Sequence, residues 1–394
     1  MADYKNTFPF ALPFILDGAT GTELTKRGMP EGMGTERFVL DHPEVLTGLQ
    51  SEYIAAGSDA VLAPTFGGNR PTLERHGFTA ADLDPVCRAL YKLSKDNAGE
   101  AKVAGDLSPT GLLLMPFGDT DPEKVYEIYR EQAAVLLDCG VDLFVIETMI
   151  SAAEARQAVR AVRSLSEDVP IFVSLTVNEN GRTMNGDSMD AVLLTMLPYH
   201  IQAFGCNCSI GPHVVAKALA PAAPLAKLFG IPLIAKPNAG MPVVDASGTH
   251  FPLTPADMAA SVEQLTGMGV GVFGGCCGTT PAHVKAIAEA ARSTEKAMFA
   301  DVEAAEEGVY VSTSRIWALA EEDAEFTVLD GDSEDDLYDL TEEVDPDEVL
   351  YFELQEGAAD VLIRMDAYIP NPIFLRGDED EIQKVQNALC RKVR

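Results

Sequence analysis

Eight short apolar runs, each followed by a polar or glycine-bearing turn, constrain the fold of this chain more than any other feature. The runs lie at 14–16, 59–63, 102–105, 143–146, 171–175, 202–205, 232–235 and 270–273. They have the length of buried strands. Between most of them lie segments such as 122–139, 151–166 and 255–268, rich in Ala, Leu and Glu, whose apolar residues recur every three to four positions as on one face of a helix. Eight β–α units before residue 300 predict a (β/α)8 TIM barrel, α/β in class, and a doubly wound open sheet is the alternative the same count allows. The turns hold Asp17 to Thr22, Thr65 to Asn69, Asp106, Glu147 to Met149, Asn207 and Cys208, Lys236 to Gly240, and Cys276 with Cys277. In a barrel all of these stand on the C-terminal rim, where side chains remote in sequence converge.

The net charge of −32 is spread unevenly. Residues 301–394 hold 27 acidic and 7 basic residues, a net of −20, which leaves −12 for the first 300. That shift predicts two domains: a barrel over 1–300 and a small acidic α/β appendage over 301–394. In the appendage strands are expected at 309–311, 326–329, 349–352 and 359–363, and a helix over 378–393. So acidic a surface repels phosphate backbones and anionic lipid, which argues against nucleic-acid and membrane partners. The seven cysteines are an odd number without the dense spacing of a secreted disulfide framework. The first residues lack a signal-peptide pattern and no run is long enough to cross a bilayer, so a soluble, cytoplasmic chain is expected.

Two motifs carry chemistry: Gly274-Gly275-Cys276-Cys277-Gly278 and Gly205-Cys206-Asn207-Cys208-Ser209. Three thiolates drawn from both would bind Zn²⁺ and leave one tetrahedral position for a substrate, with another thiol as the expected occupant. Such a site has a net charge of −1. It keeps electron density on an incoming thiolate and suits alkyl transfer to sulfur, whereas a histidine-rich zinc suits hydrolysis. Cys206 and Cys208 are two residues apart, so on a strand both face one way and either could reach the metal. The Cys276-Cys277 pair alone also reads as a buried or redox-active thiol pair. Cys87, Cys139 and Cys390 lie in helix-like segments as packing residues.

Glu147 supplies a carboxylate for an ammonium group, and the glycine-rich turn at Asp17 supplies N–H donors for a carboxylate. Taken alone, the first reads equally as a salt-bridge partner and the second as an N-capped turn. The six histidines show no ligand spacing, His283 after Pro281 reads as a helix start, and phosphate-binding glycine motifs are absent.

At this point the chain resembles the homocysteine S-methyltransferases, a family that includes the homocysteine-binding module of cobalamin-dependent methionine synthase and betaine-homocysteine methyltransferase. The resemblance covers about 14–290. It rests on Asp17-Gly18-Ala19-Thr20-Gly21-Thr22-Glu23-Leu24, Phe144-Val145-Ile146-Glu147-Thr148, Lys236-Pro237-Asn238-Ala239-Gly240 and the two cysteine motifs, in that family's order. It implies that Cys208, Cys276 and Cys277 hold zinc and form the catalytic centre. It also implies that Glu147 and Asp17 fix the homocysteine amino group, that the Gly18, Ala19 and Thr20 backbone receives its carboxylate, and that Asn238 caps the metal before substrate arrives.

The implied activity is zinc-dependent methyl transfer to homocysteine, giving methionine. Its donor would be a methyl-corrinoid on a separate protein or a small methyl-sulfonium or methyl-ammonium compound. The alternatives are a non-catalytic subunit that binds homocysteine or a corrinoid protein, and transfer to a different thiol or selenol. Two departures stand out. Ala63-Pro64-Thr65-Phe66 replaces the Asn-Thr-Phe turn of methionine-synthase-like members, and the residues after 300 are too few for a folate-binding barrel and hold no cobalamin signature.

Overall fold

The structure is a computed structural model that describes residues 8–394 apart from 116, 209–210, 246–247 and 322. All eight predicted strands form: β1 Phe14–Ile15, β2 Ala60–Leu62, β3 Lys102–Leu107, β4 Leu143–Met149, β5 Ile171–Leu175, β6 Ala203–Asn207, β7 Leu233–Lys236 and β8 Val270–Phe273. They pair in parallel in the order β1-β8-β7-β6-β5-β4-β3-β2, so sequential strands are neighbours around a (β/α)8 barrel.

The last seam, between β1 and β2, is closed largely by carboxylates. Asp59 N–H donates to the Ile15 carbonyl at 2.7 Å, Ile15 N–H donates to Asp59 Oδ2 at 2.8 Å, and Leu62 N–H donates to Asp17 Oδ2 at 2.9 Å. Two acidic side chains thus satisfy strand amides that a longer β1 would have paired.

Strand alternation sorts the side chains into two layers. Phe14, Leu62, Ala104, Val145, Phe172, Ala203, Ile234 and Val272 fill the barrel interior. Their neighbours, such as Ile15, Val61, Val103, Phe144, Val173 and Phe204, pack outward under the helices. The interior floor is aromatic. Phe8 stacks on Phe172 at 5.4 Å and Phe10 on Phe14 at 4.8 Å, with edge-on contacts between the pairs. Such contacts stabilise beyond area burial, and Phe172→Ala would cost about 3–5 kcal/mol. Towards the strand ends, one period higher or two in the case of β6, the same inward positions turn polar: Asp106, Glu147, Ser174, Asn207 and Lys236, all buried. The site is therefore the upper layer of the barrel core.

The helices follow their start signals. Ser151 accepts from the Glu154 amide and opens helix Ala152–Leu165, which buries Ala155, Ala158, Val159 and Val162 and packs on helix Pro122–Asp138. Removing that cap would cost about 1 kcal/mol. The stretch expected as one helix over 255–268 is two, Pro255–Ala260 and Val262–Gly267. At the joint the Ser261 hydroxyl donates to the Met258 carbonyl at 2.7 Å, a local bond that competes with the helix ladder. No described helix is long and apolar enough to cross a membrane.

Beyond the barrel, β9 Val309–Ser312 and β10 Trp317–Ala320 form an antiparallel hairpin, and β11 Thr327–Leu329, β12 Leu350–Leu354 and β13 Ile373–Gly377 form a parallel sheet in sequential order. Helices Glu334–Glu343, Ala358–Met365 and Glu379–Ala388 follow these three strands.

Two expectations need correction. Residues 359–363 are helical, not a strand: Ala358, Ala359, Val361, Leu362 and Met365 recur with helical period on one buried face. The helix expected over 378–393 ends at Ala388, because the chain then runs extended and Leu375 N–H donates to the Val393 carbonyl at 2.9 Å. The core of this sheet, from Leu329 to Val393, is separate from that of the barrel, whereas Phe299 and Tyr310 pack with the barrel side chains.

Candidate metal centre

Cys208, Cys276 and Cys277 come together on the rim, with their Sγ atoms all within 4.8 Å of one another. A tetrahedral ion at about 2.3 Å from each sulfur spans such a spacing. Local backbone chemistry sets it up. The chain leaves β6 at Cys208, which adopts φ +61°, so the two-residue rule that would align Cys206 with it no longer holds. Cys206 instead packs with Phe204 in the layer under the helices. Ser209, the last residue of that motif, lies outside the described residues, as do residues 1–7.

On the other side, Gly275 N–H donates to the Asp17 carbonyl at 3.0 Å and Thr279 Oγ1 donates to the Cys276 carbonyl at 2.7 Å. A Cβ on Gly275 would lie 2.3 Å from that same Thr279 oxygen, and Gly278 turns at φ +80°. The glycine frame is thus a packing requirement of the two adjacent cysteines.

The segment 236–239 is laced between both cysteine motifs. Cys208 N–H donates to the Lys236 carbonyl at 3.2 Å, Cys276 N–H to the Pro237 carbonyl at 2.9 Å, and Ala239 N–H to the Cys277 carbonyl at 3.0 Å. Asn238 sits in the middle of this lacing, buried, and its Oδ1 has no hydrogen-bond partner. His283 keeps the helix-start role expected of it: Thr280 N–H donates to Nδ1 at 3.2 Å, so Nε2 carries the proton and donates to the Leu253 carbonyl at 2.9 Å.

Sequence reasoning gave Asn207, Lys236 and Asp106 no role beyond their place on the rim. Asn207 Oδ1 accepts from Thr148 N–H at 2.7 Å and from Ser174 Oγ at 2.9 Å, while Nδ2 donates to Thr148 Oγ1 at 2.8 Å and lies 4.0 Å from Cys276 Sγ. Thr148 itself holds φ +60°, a left-handed conformation that costs a β-branched residue about 1–3 kcal/mol. The Asn207 amide grips it on two atoms and so joins the strained turn beside Glu147 to the sulfur trio.

Lys236 Nζ lies 2.6 Å from Glu147 Oε2, with only 2% and 9% of the two side chains exposed. A Cβ on Gly274 would lie 2.9 Å from Lys236 Cγ, so that glycine makes room for the lysine. The signal that finds all three is strand parity: each continues an inward-facing apolar series to the strand end.

Around Lys236 stand three carboxylates: Asp17, Asp106 and Glu147. Burial pushes Asp17 up to about 7 against the lowering field of Lys236. Burial, then the Glu147 charge, holds Asp106 well above the ordinary carboxylate range. Glu147 is also raised by burial, with Lys236 opposing. Burial disfavours charge on Lys236, yet the fields of Glu147, Asp17 and Cys276 together hold it above its ordinary range. Within the trio, hydrogen bonds from Cys208 and Cys276 pull Cys277 down to about 3, whereas hydrogen bonding to Cys276 and Cys277 holds Cys208 far above the ordinary thiol range.

Asp17 Oδ1 and Asp106 Oδ1 are, like Asn238 Oδ1, buried acceptors without a donor. Each such oxygen costs about 1–3 kcal/mol, and several on one rim call for a ligand that brings N–H donors or positive charge. In the glycine turn, Ala19 N–H donates to Thr279 Oγ1 at 3.1 Å, so one of the three amides expected to receive a carboxylate is engaged.

The family model described as homocysteine S-methyltransferase matches residues 14–291. Methionine synthase of Mycobacterium tuberculosis is 30% identical over 297 residues, 71% of this chain and 25% of that protein. The Mycobacterium leprae methionine synthase is 31% identical over 291 residues, 70% of this chain and 24% of that protein. This chain thus spans about a quarter of the length of these relatives. Among solved structures, the homocysteine methyltransferase MmuM of Escherichia coli matches in its oxidized and metallated forms. Each has a TM-score of 0.59 and 22% identity and covers 70% of this chain, and the match takes in 94% and 95% of the two MmuM chains. At that identity the likeness speaks for the fold.

Proposed function

Because this chain belongs to the homocysteine S-methyltransferase family, we propose that it transfers a methyl group to the sulfur of homocysteine to form methionine, at a zinc ion held by Cys208, Cys276 and Cys277. The observation that carries this reading is the meeting of those three sulfurs within 4.8 Å. The donor set fits: three thiolates leave one tetrahedral position, and the unpartnered Asn238 Oδ1 beside them suits a cap on it. When bound, zinc supplies the Lewis acidity that keeps a substrate thiol deprotonated at neutral pH.

The chain's own residues do the rest. Glu147 and Asp17, with Asp106 beside them, hold the ammonium group of the amino acid, whose N–H donors answer the orphaned carboxylate oxygens. The Gly18 and Thr20 amides, next to the engaged Ala19 amide, receive its carboxylate. Lys236 offsets part of the acidic charge and keeps Glu147 in place. Asn207 steadies the turn at Thr148 and one ligand sulfur. All seven cysteines are free thiols, in keeping with a reducing cytoplasm.

For the donor, the rim offers a guide. Phe66, Leu113, Met115, Phe117, Met184 and Met241 are exposed on four separate loops after strand ends. A collar of Phe and Met around a site favours docking of a partner surface over capture of a small polar cation. We therefore favour a methyl-corrinoid carried by another protein. We also read the chain as a barrel over 1–300 and an acidic appendage over 301–394, joined by the hairpin that packs on the barrel.

The test is to assay zinc content and methionine formation from homocysteine, with methylcobalamin, S-methylmethionine or betaine as donor. Bound zinc in about one equivalent and turnover with methylcobalamin are expected. Homocysteine binding without turnover of any donor would favour the non-catalytic subunit, and a metal-free protein would defeat the reading.

A further inference from the structure

The rim loop between β5 and helix Met189–Met196 is held from outside the barrel. Within itself the loop is a tight hairpin: Asn178 N–H donates to the Arg182 carbonyl at 2.8 Å, and Thr183 Oγ1 donates to Asp187 Oδ2 at 2.7 Å. Its tip carries Met184, 68% exposed in the apolar collar. Its inner side is tied to the neighbouring β–α unit, since Ala152 N–H, at the start of the helix after β4, donates to Asp187 Oδ2 at 2.9 Å.

Its outer side is tied to the hairpin of β9 and β10. Ser188 N–H donates to the Ser314 carbonyl at 3.0 Å and Ser188 Oγ to the Arg315 carbonyl at 2.9 Å. Arg315 Nη2 donates to the Asn185 carbonyl at 2.9 Å, and Trp317 Nε1 donates to Asp190 Oδ2 at 3.0 Å. The strand that precedes this turn is anchored in turn to the far end of the chain, because Ser312 and Lys392 exchange both backbone bonds at 2.9 Å.

We propose that the turn at 313–316 is a clamp that fixes the rim loop at 177–188 and so sets how the methyl donor reaches the sulfur trio, with Arg315 as its main positioning residue. The donor half of this inference rests on the reading given under Proposed function; the clamp itself does not. Fixing the loop needs a partner outside the barrel because a long surface connection has few buried contacts of its own. The acidic appendage thereby acquires a role: it holds the hairpin, and the hairpin holds one side of the mouth. Arg315 touches none of the metal or substrate residues, so its loss leaves them intact.

The experiment compares the full chain with Arg315→Ala, Arg315→Lys and Trp317→Phe. Amide exchange over 177–188 is expected to quicken by about tenfold in Arg315→Ala, the loss of the one side-chain hydrogen bond to the Asn185 carbonyl. Trp317→Phe, whose lost bond is to Asp190 in the helix after the loop and which keeps its ring on Tyr310, should quicken it less, and Arg315→Lys should restore most of the protection. With methylcobalamin as the probe donor, its KM should rise about fivefold or more in Arg315→Ala with kcat within about twofold. Homocysteine affinity and zinc content should stay as in the parent chain.

Unchanged exchange over 177–188 overturns the clamp. Faster exchange with an unchanged donor KM overturns its purpose. A parent chain that turns over no donor sinks that purpose together with the functional reading, while the exchange result still decides the clamp.

Discussion

The barrel and the sheet of β11 to β13 are built from the same unit, parallel strands in sequential order with a helix after each, yet among the described residues the metal-ligand cluster lies in the barrel. The barrel closes, so its inward side chains face one another across an axis: Lys236 and Glu147, 89 residues apart, meet at 2.6 Å in the core. The small sheet stays open. Leu350, Phe352, Leu354, Ile373 and Leu375 are buried with the helix residues Val361, Leu362, Ile382 and Val385, while Tyr351, Glu353, Phe374 and Arg376 point the other way and are partly exposed. Its charged pair, Glu353 and Arg376, joins adjacent strands in solvent at 2.6 Å. Closure, not the β–α unit itself, turns strand ends into a convergent site.

Substitutions can break that contrast, and the largest effect belongs to the sulfurs. Cys276→Ala should lower methionine formation by roughly a thousandfold or more and abolish zinc binding, checked by metal analysis, with the far-UV spectrum unchanged. Next comes the buried pair. Lys236→Met strands Glu147 without its counter-charge and should cost about 3–5 kcal/mol in urea unfolding. Asn207→Ala should weaken zinc binding by about 10–100-fold in chelator competition, as expected for a group that orients a ligand.

The pH dependence sharpens the contrast further. Asp17 has its folded pKa raised to about 7 from 3.8, so the folded state holds the proton more tightly than the unfolded one. The stability this contributes is full below about 4 and is lost as pH climbs through about 7. The metal-free chain should therefore lose stability over that window, and Asp17→Asn should flatten the slope. The smallest effect is expected in the open sheet, where Arg376→Met should change unfolding free energy by less than about 1 kcal/mol. A cost there equal to that of Lys236→Met would erase the distinction between the two regions.

How much of this was legible in the amino-acid order differs by region for a physical reason. The eight barrel strands announce themselves because a strand buried on both sides is apolar throughout, and the turns after them mark the rim. The gathering of cysteines on one end was visible for the same reason, while the choice of Cys208 over Cys206 came from the family resemblance, because the left-handed turn at Cys208 that separates the two does not show in strand parity. The pairing of Lys236 with Glu147, the grip of Asn207 on Thr148 and the closing of the seam by Asp17 and Asp59 were not, since each depends on distances across the closed ring. In the acidic region the run 359–363 misled because five apolar-rich residues fit either period; Ala358 and Met365 on the same face settle it as helix.

The four phenyl rings beneath the site have a kinetic corollary. With that end of the barrel filled by side chains, a substrate reaches the polar layer through the mouth, the same opening that the proposed donor protein would cover. Under the proposed function, the amino acid would enter before a donor protein seats and the product would depart after it lifts away, so turnover is expected to follow a compulsory order with that partner last on and first off.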